Sequence, residues 1–508
     1  MKMTTFNDFP LSEEIKKSLD LLGYEKPTEV QEAMIPAVLE GRDMIVKSQT
    51  GSGKTAAFAI PLCEKLDWEE NKPQALVITP TRELALQVKE EIFNIGRFKR
   101  IKAAAVFGKA PMLTQVRELK QKMHVVVGTP GRLIDHLEQG TLITDQIKYL
   151  IIDEADEMLN MGFVEQLEEI IQELPRDRVT LLLSATLPRD IEALSEEYMI
   201  DPELVTIEST SHALDRIDQM AYETTELEKF DLLRAVTTME NPDTCMIFCN
   251  TRLGVDDLHE DLSRAGYPCK PMHGGMAQRD RLRIMDGFKR GNFRYLIATG
   301  VAARGIDVDN VSLVINFDMP EDPESYVHRV GRTGRKDRRG RAVSFFTRGE
   351  KIYVKDVEAY TGRPLERLTA PSIDQVQEAE PAFLDKLSKR LERKPSKTDQ
   401  LSADIMKLHI NAGKKQKMRA ADIVGTLCNI EGMTKDDIGV ITIMDIATYV
   451  EVLNGKGPGV LKALRKKTLK GRIRKVNIAD RELYPGERRN RRQVQQGGQG
   501  RGPRNPRR

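Results

Sequence analysis

Residues 43–55 read DMIVKSQTGSGKT, in which a short apolar run leads into a loop rich in Gly and Ser. This pattern predicts a strand, a phosphate-binding loop and a helix that begins near Lys54, because backbone N–H groups of such a loop surround phosphates. Lys54 is expected to reach the β- and γ-phosphates and Thr55 to hold Mg²⁺. The strict pattern has Gly where this chain has Ser48, and the alternative is a flexible Gly/Ser turn. The expected nucleotide contacts in the loop are Ser48, Gln49, Thr50, Gly51, Ser52, Gly53, Lys54 and Thr55.

Similar apolar runs on both sides of this loop predict a parallel sheet. The strand candidates are DMIVKS, ALVITP, AAAVFG, HVVVGTP, YLIIDE and TLLLSAT. Each ends at a Gly, Pro, Ser, Thr or acidic residue, as strands do where loops leave the carboxyl edge of a parallel sheet. A doubly wound α/β domain is therefore predicted over residues 1–207, with ligands beyond the strand ends.

A second series of strands, TCMIFCN, CKPMHGG, YLIATG, LVINFD and AVSFFT, predicts another α/β domain over residues 213–369. The polar stretch DPELVTIESTSHALD (201–215) between the two series is interpreted as a linker. Residues 371–403 are charged, flanked by Pro, and predicted to be a partly helical connector.

The last quarter of the chain has a different character. Residues 404–479 show the order βαββαβ, an α+β sandwich that many RNA-binding modules share. Residues 480–508 are rich in Arg, Gly, Gln and Pro, so we expect a disordered tail. Residues 404–508 carry a net charge of +14, against −12 for residues 1–403. This asymmetry favours a polyanionic partner such as nucleic acid over a merely solvated surface.

Composition excludes several other classes of protein. No apolar run approaches the roughly 18 residues that cross a bilayer, and the start mixes acids with apolar residues, unlike a signal peptide. The five cysteines are scattered, and CxxxC at Cys245 and Cys249 is interpreted as two buried thiols on a strand rather than a metal site. A cytoplasmic protein without a membrane partner is expected.

Two further motifs predict phosphate chemistry. YLIIDEAD places Asp153 and Glu154 at the end of a strand, where Asp153 would position Mg²⁺ and Glu154 would polarise the attacking water. HRVGRTGR (328–335) spaces Arg329, Arg332 and Arg335 three residues apart. Arg332 and Arg335 are candidate arginine fingers for the γ-phosphate, the alternative being a solvated helix face.

At these motifs the chain resembles the DEAD-box RNA helicases, over about residues 6–350. The matching motifs stand in the family's order: GYEKPTEVQ, PTRELA, TPGR, DEAD, SAT, HGGMAQRDR, ATGVAARGID and HRVGRTGR. The resemblance implies two tandem RecA-like domains, ATP and Mg²⁺ as cofactors, and ATP-dependent separation of short RNA duplexes.

The resemblance also implies roles for individual residues. Tyr24 would stack on adenine, Gln31 would contact its edge, and Asp307 would meet the ribose. Ser184, Thr186, Asp156, His328 and Arg329 would couple hydrolysis to unwinding. Contacts to RNA are implied for Arg82, Thr129, Arg132, Gly274, Arg281 and Thr299.

Two positions depart from the family's pattern. Gly300 stands where the motif usually reads Ala-Thr-Asp, so a carboxylate at the face between the domains is missing. Gly108-Lys109 stands where many members have Gly-Gly, which affects one RNA-backbone contact.

Residues 404–479 resemble the RNA-binding domain of the DbpA group of bacterial DEAD-box proteins. That resemblance implies a hairpin of 23S ribosomal RNA and the pre-50S particle as partners of a monomeric enzyme. The domain lacks the aromatic-rich pattern of ordinary RRM domains. Tyr449 is the main stacking candidate, and the basic residues Lys414, Lys415, Lys417 and Arg419 either grip phosphates or form a solvated loop. The alternatives for the whole chain are an ATP-gated RNA clamp and a processive DNA translocase, the second of which the adenine-reading, DEAD and SAT motifs disfavour.

Overall fold

A computed structural model describes residues 5–48, 51–207, 212–303, 311–334, 339–389 and 404–479. The chain divides into two compact units, Met1–Gln400 and Leu401–Arg508. The first unit contains two lobes, each built on a seven-stranded parallel sheet, and the second contains a four-stranded antiparallel sheet. This architecture confirms the predicted fold class. Within the described residues, no helix has both the length and the apolar character that a membrane span requires.

The first sheet has the strand order β3-β4-β2-β5-β6-β1-β7. Its central strands are buried on both faces, which explains their continuous Val, Ile and Leu runs. The strands are β1 (Met44–Lys47), β2 (Ala75–Ile78), β3 (Ala103–Val106), β4 (Val125–Gly128), β5 (Tyr149–Ile152), β6 (Val179–Ser184) and β7 (Glu203–Thr206). All six strands predicted for this lobe are present.

Strand β7 corrects the interpretation of residues 201–215 as a linker. Glu203–Thr206 pairs in parallel with β1 at the edge of the sheet. Most of its side chains are exposed, so the stretch shows no apolar pattern that distinguishes it from a loop.

Helices cover both faces of the first sheet. The helix that begins at Arg82 is capped by the Thr81 hydroxyl, which accepts a hydrogen bond from the Leu84 amide at 3.3 Å. The helices are α1 (Glu13–Leu21), α2 (Glu29–Glu40), α3 (Lys54–Lys65), α4 (Arg82–Ile95), α5 (Met112–Leu119), α6 (Pro130–Glu138), α7 (Ala155–Asn160), α8 (Val164–Gln172) and α9 (Arg189–Tyr198).

The second lobe repeats the arrangement with the strand order β10-β11-β9-β12-β13-β8-β14. Its strands are β8 (Ile217–Glu223), β9 (Cys245–Cys249), β10 (Cys269–Met272), β11 (Tyr295–Thr299), β12 (Leu313–Asn316), β13 (Gly340–Phe346) and β14 (Glu366–Leu368). Its helices are α10 (His212–Asp215), α11 (Lys229–Glu240), α12 (Arg252–Arg264), α13 (Gln278–Lys289), α14 (Gly300–Ala303), α15 (Pro323–Val330), α16 (Lys351–Thr361) and α17 (Ile373–Ser388). The five predicted strands are present, and β8 and β14 are additional.

Helix α17 lies inside the region predicted to be a connector and packs against α11 of the second lobe. The Phe383 ring is buried, with its centroid 5.6 Å from that of Tyr267. The Arg294 guanidinium donates to the Lys386 carbonyl at 3.0 Å. The helical part of the connector is therefore docked, while residues 390–403 lie outside the described residues.

The C-terminal unit has the predicted βαββαβ order, with sheet order β16-β17-β15-β20. Its elements are β15 (Met406–Ile410), α18 (Ala420–Cys428), β16 (Ile438–Ile443), β17 (Thr448–Val452), α19 (Gly457–Leu464) and β20 (Val476–Ile478). The run GRIRKVNI is not one strand, because β18 (Thr468–Leu469) pairs with β19 (Arg472–Ile473) in a small hairpin before β20. Short 3-10 helices occur at Phe6–Asp8, Arg348–Glu350, Lys414–Gln416 and Lys435–Asp437. The predicted tail at 480–508 lies outside the described residues, and the domain boundaries remain predictions.

Candidate active site

The order of the first sheet brings three motifs together. Strands β5, β6 and β1 are neighbours, so the loops that follow them leave the carboxyl edge side by side. These loops carry the DEAD motif, the SAT motif and the phosphate-binding loop. The amide of Ser48 donates to the Ser184 carbonyl at 2.9 Å, which joins the last two directly.

Within the phosphate-binding loop, the Lys54 side chain is hydrogen-bonded to the loop backbone. Lys54 is 7% exposed, and its ammonium donates to the Ser48 carbonyl at 2.6 Å. Gly53 has a φ of 95°, and a Cβ there would lie 2.7 Å from Gln31 Nε2, so this position requires glycine. The lysine thus points into the loop, where the phosphates of a nucleotide would lie. Gln49 and Thr50 are outside the described residues.

The segment predicted to bind adenine is hydrogen-bonded to this loop. Thr28 donates through its hydroxyl to the Ser52 carbonyl at 2.9 Å, and Gln31 Nε2 donates to the Gly53 carbonyl at 3.2 Å. The Tyr24 hydroxyl donates to the Glu91 carboxylate. The structure therefore brings Gln31 to the phosphate-binding loop and adds Thr28, which the motif alone did not single out, whereas Tyr24 is bonded to Glu91 on a neighbouring helix.

Asp153 has the properties of a Mg²⁺ ligand. It is buried, and none of the described residues makes a hydrogen bond to its Oδ1 atom. Burial raises the pKa of Asp153 and therefore disfavours its ionised form. A cation bound nearby would have the opposite effect and favour the carboxylate. Mg²⁺ commonly takes one or two protein carboxylates together with phosphate oxygens and water, and the described residues contain no cluster of three or more metal-binding side chains. The donor set of Asp153, Thr55 and a nucleotide therefore fits Mg²⁺.

Glu154 occupies a strained turn between β5 and α7. Its φ of 53° is in the left-handed region, uncommon for a residue with a side chain. Desolvation and the neighbouring Asp153 raise its pKa to about 7, against the opposing effects of Lys54 and Arg332. A carboxylate with a pKa near neutrality can accept a proton from water at physiological pH.

Asp156 anchors the SAT motif. Its Oδ2 atom accepts hydrogen bonds from the Ala185 amide at 2.9 Å, the Thr186 amide at 3.0 Å and the Thr186 hydroxyl at 3.2 Å. In return, the Asp156 amide donates to the Ser184 hydroxyl at 3.3 Å. These hydrogen bonds therefore join the DEAD and SAT motifs next to the phosphate-binding loop.

We expect Asp156→Asn to raise the number of ATP molecules hydrolysed per duplex separated. An amide has only one acceptor oxygen, so it cannot satisfy both the Glu157 amide and the SAT motif, at a cost of about 1–3 kcal/mol. Hydrolysis and strand separation would be measured in the same reaction. Thr186→Ala removes only the longest of the three bonds and should show a smaller shift of the same sign. An equal loss of both activities would contradict the expectation.

Helix α15 of the second lobe faces this site. His328 Nδ1 lies 3.1 Å from Glu157 Oε1 on the first lobe. Arg332 is buried, its Nε donates to the His328 carbonyl at 3.2 Å, and its charge lowers the pKa of Glu154. The structure thus brings His328 and Arg332 to the nucleotide side. Arg335 and Asp307 lie outside the described residues.

The motifs predicted to contact RNA lie on the other half of the first sheet. Strands β3, β4 and β2 are neighbours, so Gly108, Thr129 and Arg82 follow adjacent strand ends. A Cβ on Gly108 would lie 3.6 Å from Arg82 Nη2. Arg132 is held by Asp135 at 2.9 Å and by Gln115 at 3.0 Å.

The second lobe meets this half through Glu83, which accepts from Gln278 at 2.8 Å and pairs with Arg281 at 3.1 Å. Glu83 and Gln278 lie within the quoted motifs but were not predicted as site residues. Gly274 follows β10 and Thr299 is the last residue of β11, and these two strands are neighbours in the second sheet. The predicted RNA contacts of both lobes therefore lie at carboxyl edges of their sheets.

The C-terminal unit presents a polar row across its open sheet face. Cross-strand pairing aligns Thr442, Tyr449, His409 and Asn477. The rings of His409 and Tyr449 are 5.2 Å apart, and the Lys407 ammonium lies 5.7 Å from the Tyr449 ring. Lys414, Lys415, Lys417 and Arg419 are all exposed.

Comparison with known families agrees with this geometry. Residues 28–194 match the DEAD/DEAH box helicase family, residues 228–337 the helicase conserved C-terminal domain, and residues 407–478 the DbpA RNA binding domain. The chain is 56% identical to the ATP-dependent RNA helicase DbpA of Bacillus subtilis, over 94% of this chain and all of that protein. The chain belongs to the DEAD-box family of ATP-dependent RNA helicases.

Other DEAD-box relatives match the two lobes. The CshA helicase of Geobacillus kaustophilus is 43% identical over 74% of this chain and 81% of its own. The structure of S. cerevisiae Dbp5 bound to RNA and ADP BeF3 is 30% identical, with a TM-score of 0.67, and covers 76% of this chain and 100% of its own. As a DEAD-box helicase, the protein is an RNA-binding enzyme that uses ATP.

Proposed function

We propose that this helicase separates short RNA duplexes locally and acts on 23S ribosomal RNA during assembly of the large ribosomal subunit. The observation that carries the proposal is the combination of the DEAD-box site with a DbpA-type RNA-binding domain in one chain. We further propose that the enzyme is a cytoplasmic monomer that works on the pre-50S particle.

In this proposal the first lobe binds the nucleotide. Lys54 exchanges its bond to the Ser48 carbonyl for the phosphates, while Asp153 and Thr55 hold Mg²⁺. The metal, when bound, neutralises charge on the phosphates. Glu154 accepts a proton from the attacking water, for which its raised pKa suits it.

The second lobe completes the site only when the lobes close. Arg332 then stabilises negative charge on the γ-phosphate, because its guanidinium is planar and always charged. The contacts of His328 with Glu157 and of Arg281 with Glu83 support this arrangement, since they join the lobes on the nucleotide and RNA sides respectively. Closure would hold one RNA strand and release the other.

The C-terminal unit, in this proposal, directs the lobes to their RNA. Tyr449 and His409 offer ring surfaces to unpaired bases, and Lys414 and Lys415 contact phosphates. The alternative, an ATP-gated clamp without unwinding, is favoured by the absence of a side chain at Gly300. Strand separation of a short duplex in the presence of ATP distinguishes the two: a clamp would hydrolyse ATP and retain RNA while the duplex stays intact.

We expect Tyr449→Ala to weaken binding of the cognate ribosomal hairpin by about 1–3 kcal/mol, because it removes a stacking surface. Tyr449→Phe keeps the ring and serves as the matched control. Lys414→Ala with Lys415→Ala should instead weaken every RNA alike and flatten the slope of log affinity against log salt by about 0.7–0.9 per lost contact. Binding titrations over a salt series, on cognate and scrambled hairpins, make the comparison. If Tyr449→Ala binds the cognate hairpin as tightly as the unmodified protein, the stacking role is wrong.

A further inference from the structure

Arg329 of the second lobe is a buried cation that faces a position without a side chain. It is 7% exposed, and a Cβ built on Gly300 would lie 3.4 Å from both its Nε and Nη2 atoms. A carboxylate at position 300 would therefore reach the guanidinium directly. With glycine there, other groups must hold the charge, because a buried cation without partners is strongly destabilising.

Three uncharged oxygen atoms accept hydrogen bonds from the Arg329 side chain. Its Nη2 donates to Asn250 Oδ1 at 2.9 Å, and its Nη1 donates to the Asp318 carbonyl at 3.0 Å and to Asn316 Oδ1 at 3.5 Å. The Phe248 ring lies 5.4 Å from the guanidinium carbon. The shortest of these hydrogen bonds is the one that Asn250 Oδ1 accepts.

Asn250 is itself held in one orientation. Its Nδ2 donates to the Met319 carbonyl at 3.0 Å, which turns the Oδ1 atom towards Arg329. Its backbone amide donates to Asp318 Oδ2 at 2.9 Å. The other carboxylate oxygen of Asp318 receives the buried Lys229 ammonium at 3.1 Å.

The effect of this network extends to the nucleotide side. Arg329 lies on α15, the helix that also carries His328, and the Arg332 side chain bonds to the His328 carbonyl. A loosely held Arg329 would let this helix shift, and with it the contact of His328 with Glu157 and the position of Arg332. A displacement of about 1 Å at a catalytic group can cost about a hundredfold in rate.

We propose that Asn250, oriented by Asp318 and Lys229, is a positioning residue that holds Arg329 in place of a carboxylate at position 300. This assignment rests on the proposed function, because it assumes that Arg332 acts on ATP when the lobes close. The network lies at the ends of β9 and β12, and Asn250, which follows β9, is 79 residues from Arg329 along the chain.

The test uses the full-length protein and RNA-stimulated ATP turnover at saturating RNA. We expect Asn250→Ala to lower kcat about ten- to a hundredfold, as loss of a hydrogen bond to a charged group does. KM for ATP should change little, because the first lobe carries the phosphate-binding loop. Adding Gly300→Asp to Asn250→Ala should restore most of the lost kcat, and Gly300→Asp alone should raise turnover above that of the unmodified protein.

Ser312→Ala is the matched control. Ser312 and Thr244 exchange hydrogen bonds at the opposite ends of the same two strands, at 2.7 and 2.9 Å. A variant that merely destabilises the second lobe should lower Tm without lowering kcat below its melting range. Unchanged kcat in Asn250→Ala would overturn the proposal, as would a double variant no faster than Asn250→Ala. If the unmodified protein shows no stimulation by RNA, the proposed function fails instead.

Discussion

Glu154→Gln is expected to bind ATP normally and to hydrolyse it at least about a hundredfold more slowly, since removing a general base typically costs 10²–10⁴ in rate. The amide has the shape of the carboxylate but cannot accept a proton from water. The backbone turn at Glu154 and the Asp156 contacts to the SAT motif do not involve the lost oxygen. Single-turnover hydrolysis and a nucleotide-binding titration, both with saturating RNA, measure the two effects separately.

Lys54→Ala provides the comparison for this variant. It removes a phosphate ligand, so hydrolysis and nucleotide binding should fall together, whereas Glu154→Gln should lose hydrolysis alone and retain RNA in the closed, ATP-bound state. Near-normal turnover in Glu154→Gln would show that another group activates the water.

Arg332→Ala is expected to lower kcat by about 10³ or more, the range found for arginine fingers in phosphoryl transfer. Arg332 lies on the second lobe and its charge acts on Glu154, while the phosphate-binding loop belongs to the first lobe. Nucleotide binding to the open protein should therefore change little. Arg332→Lys should not restore the rate, because an ammonium lacks the planar pair of donors that a guanidinium offers.

Arg264→Ala is the control for this experiment. Arg264 is an exposed arginine of the same lobe that pairs with Glu260 and Asp261 on its own helix. Its loss should leave turnover unchanged. If Arg332→Ala hydrolyses ATP within about tenfold of the unmodified rate, Arg332 does not supply the charge at the γ-phosphate.

The sequence predicted the buried strands of both lobes well, because central strands of parallel sheets are continuous apolar runs. The edge strands β7 and β14 lack this signal. Strand β7 has mostly exposed side chains and β14 has only three residues, so neither forms a recognisable apolar run. The docking of α17 was not predictable either, since its buried Phe383 is a single aromatic residue in a charged stretch.

The motifs likewise predicted which residues would lie together at the site, but not which side chains hold them in position. The partners of Thr28, Glu83 and Asn250 are far from them in the sequence, and only the folded structure shows that they are in contact. Glu83 and Gln278 are 195 residues apart in the chain and yet in hydrogen-bond contact. Asn250 could have been found from its position in the sequence. It is the first polar residue after β9, at the carboxyl edge of the sheet where ligands bind.

ATP turnover across fragments of 23S ribosomal RNA measures directly whether the C-terminal unit directs this DEAD-box ATPase to ribosomal RNA. Turnover would be measured over a range of concentrations of each fragment and of scrambled RNAs of equal length. We expect one hairpin-containing fragment to stimulate turnover at far lower concentration than the others. We also expect Tyr449→Ala to abolish this preference without lowering the maximal rate. Equal stimulation by cognate and scrambled RNA would show that the C-terminal unit does not direct the enzyme to ribosomal RNA.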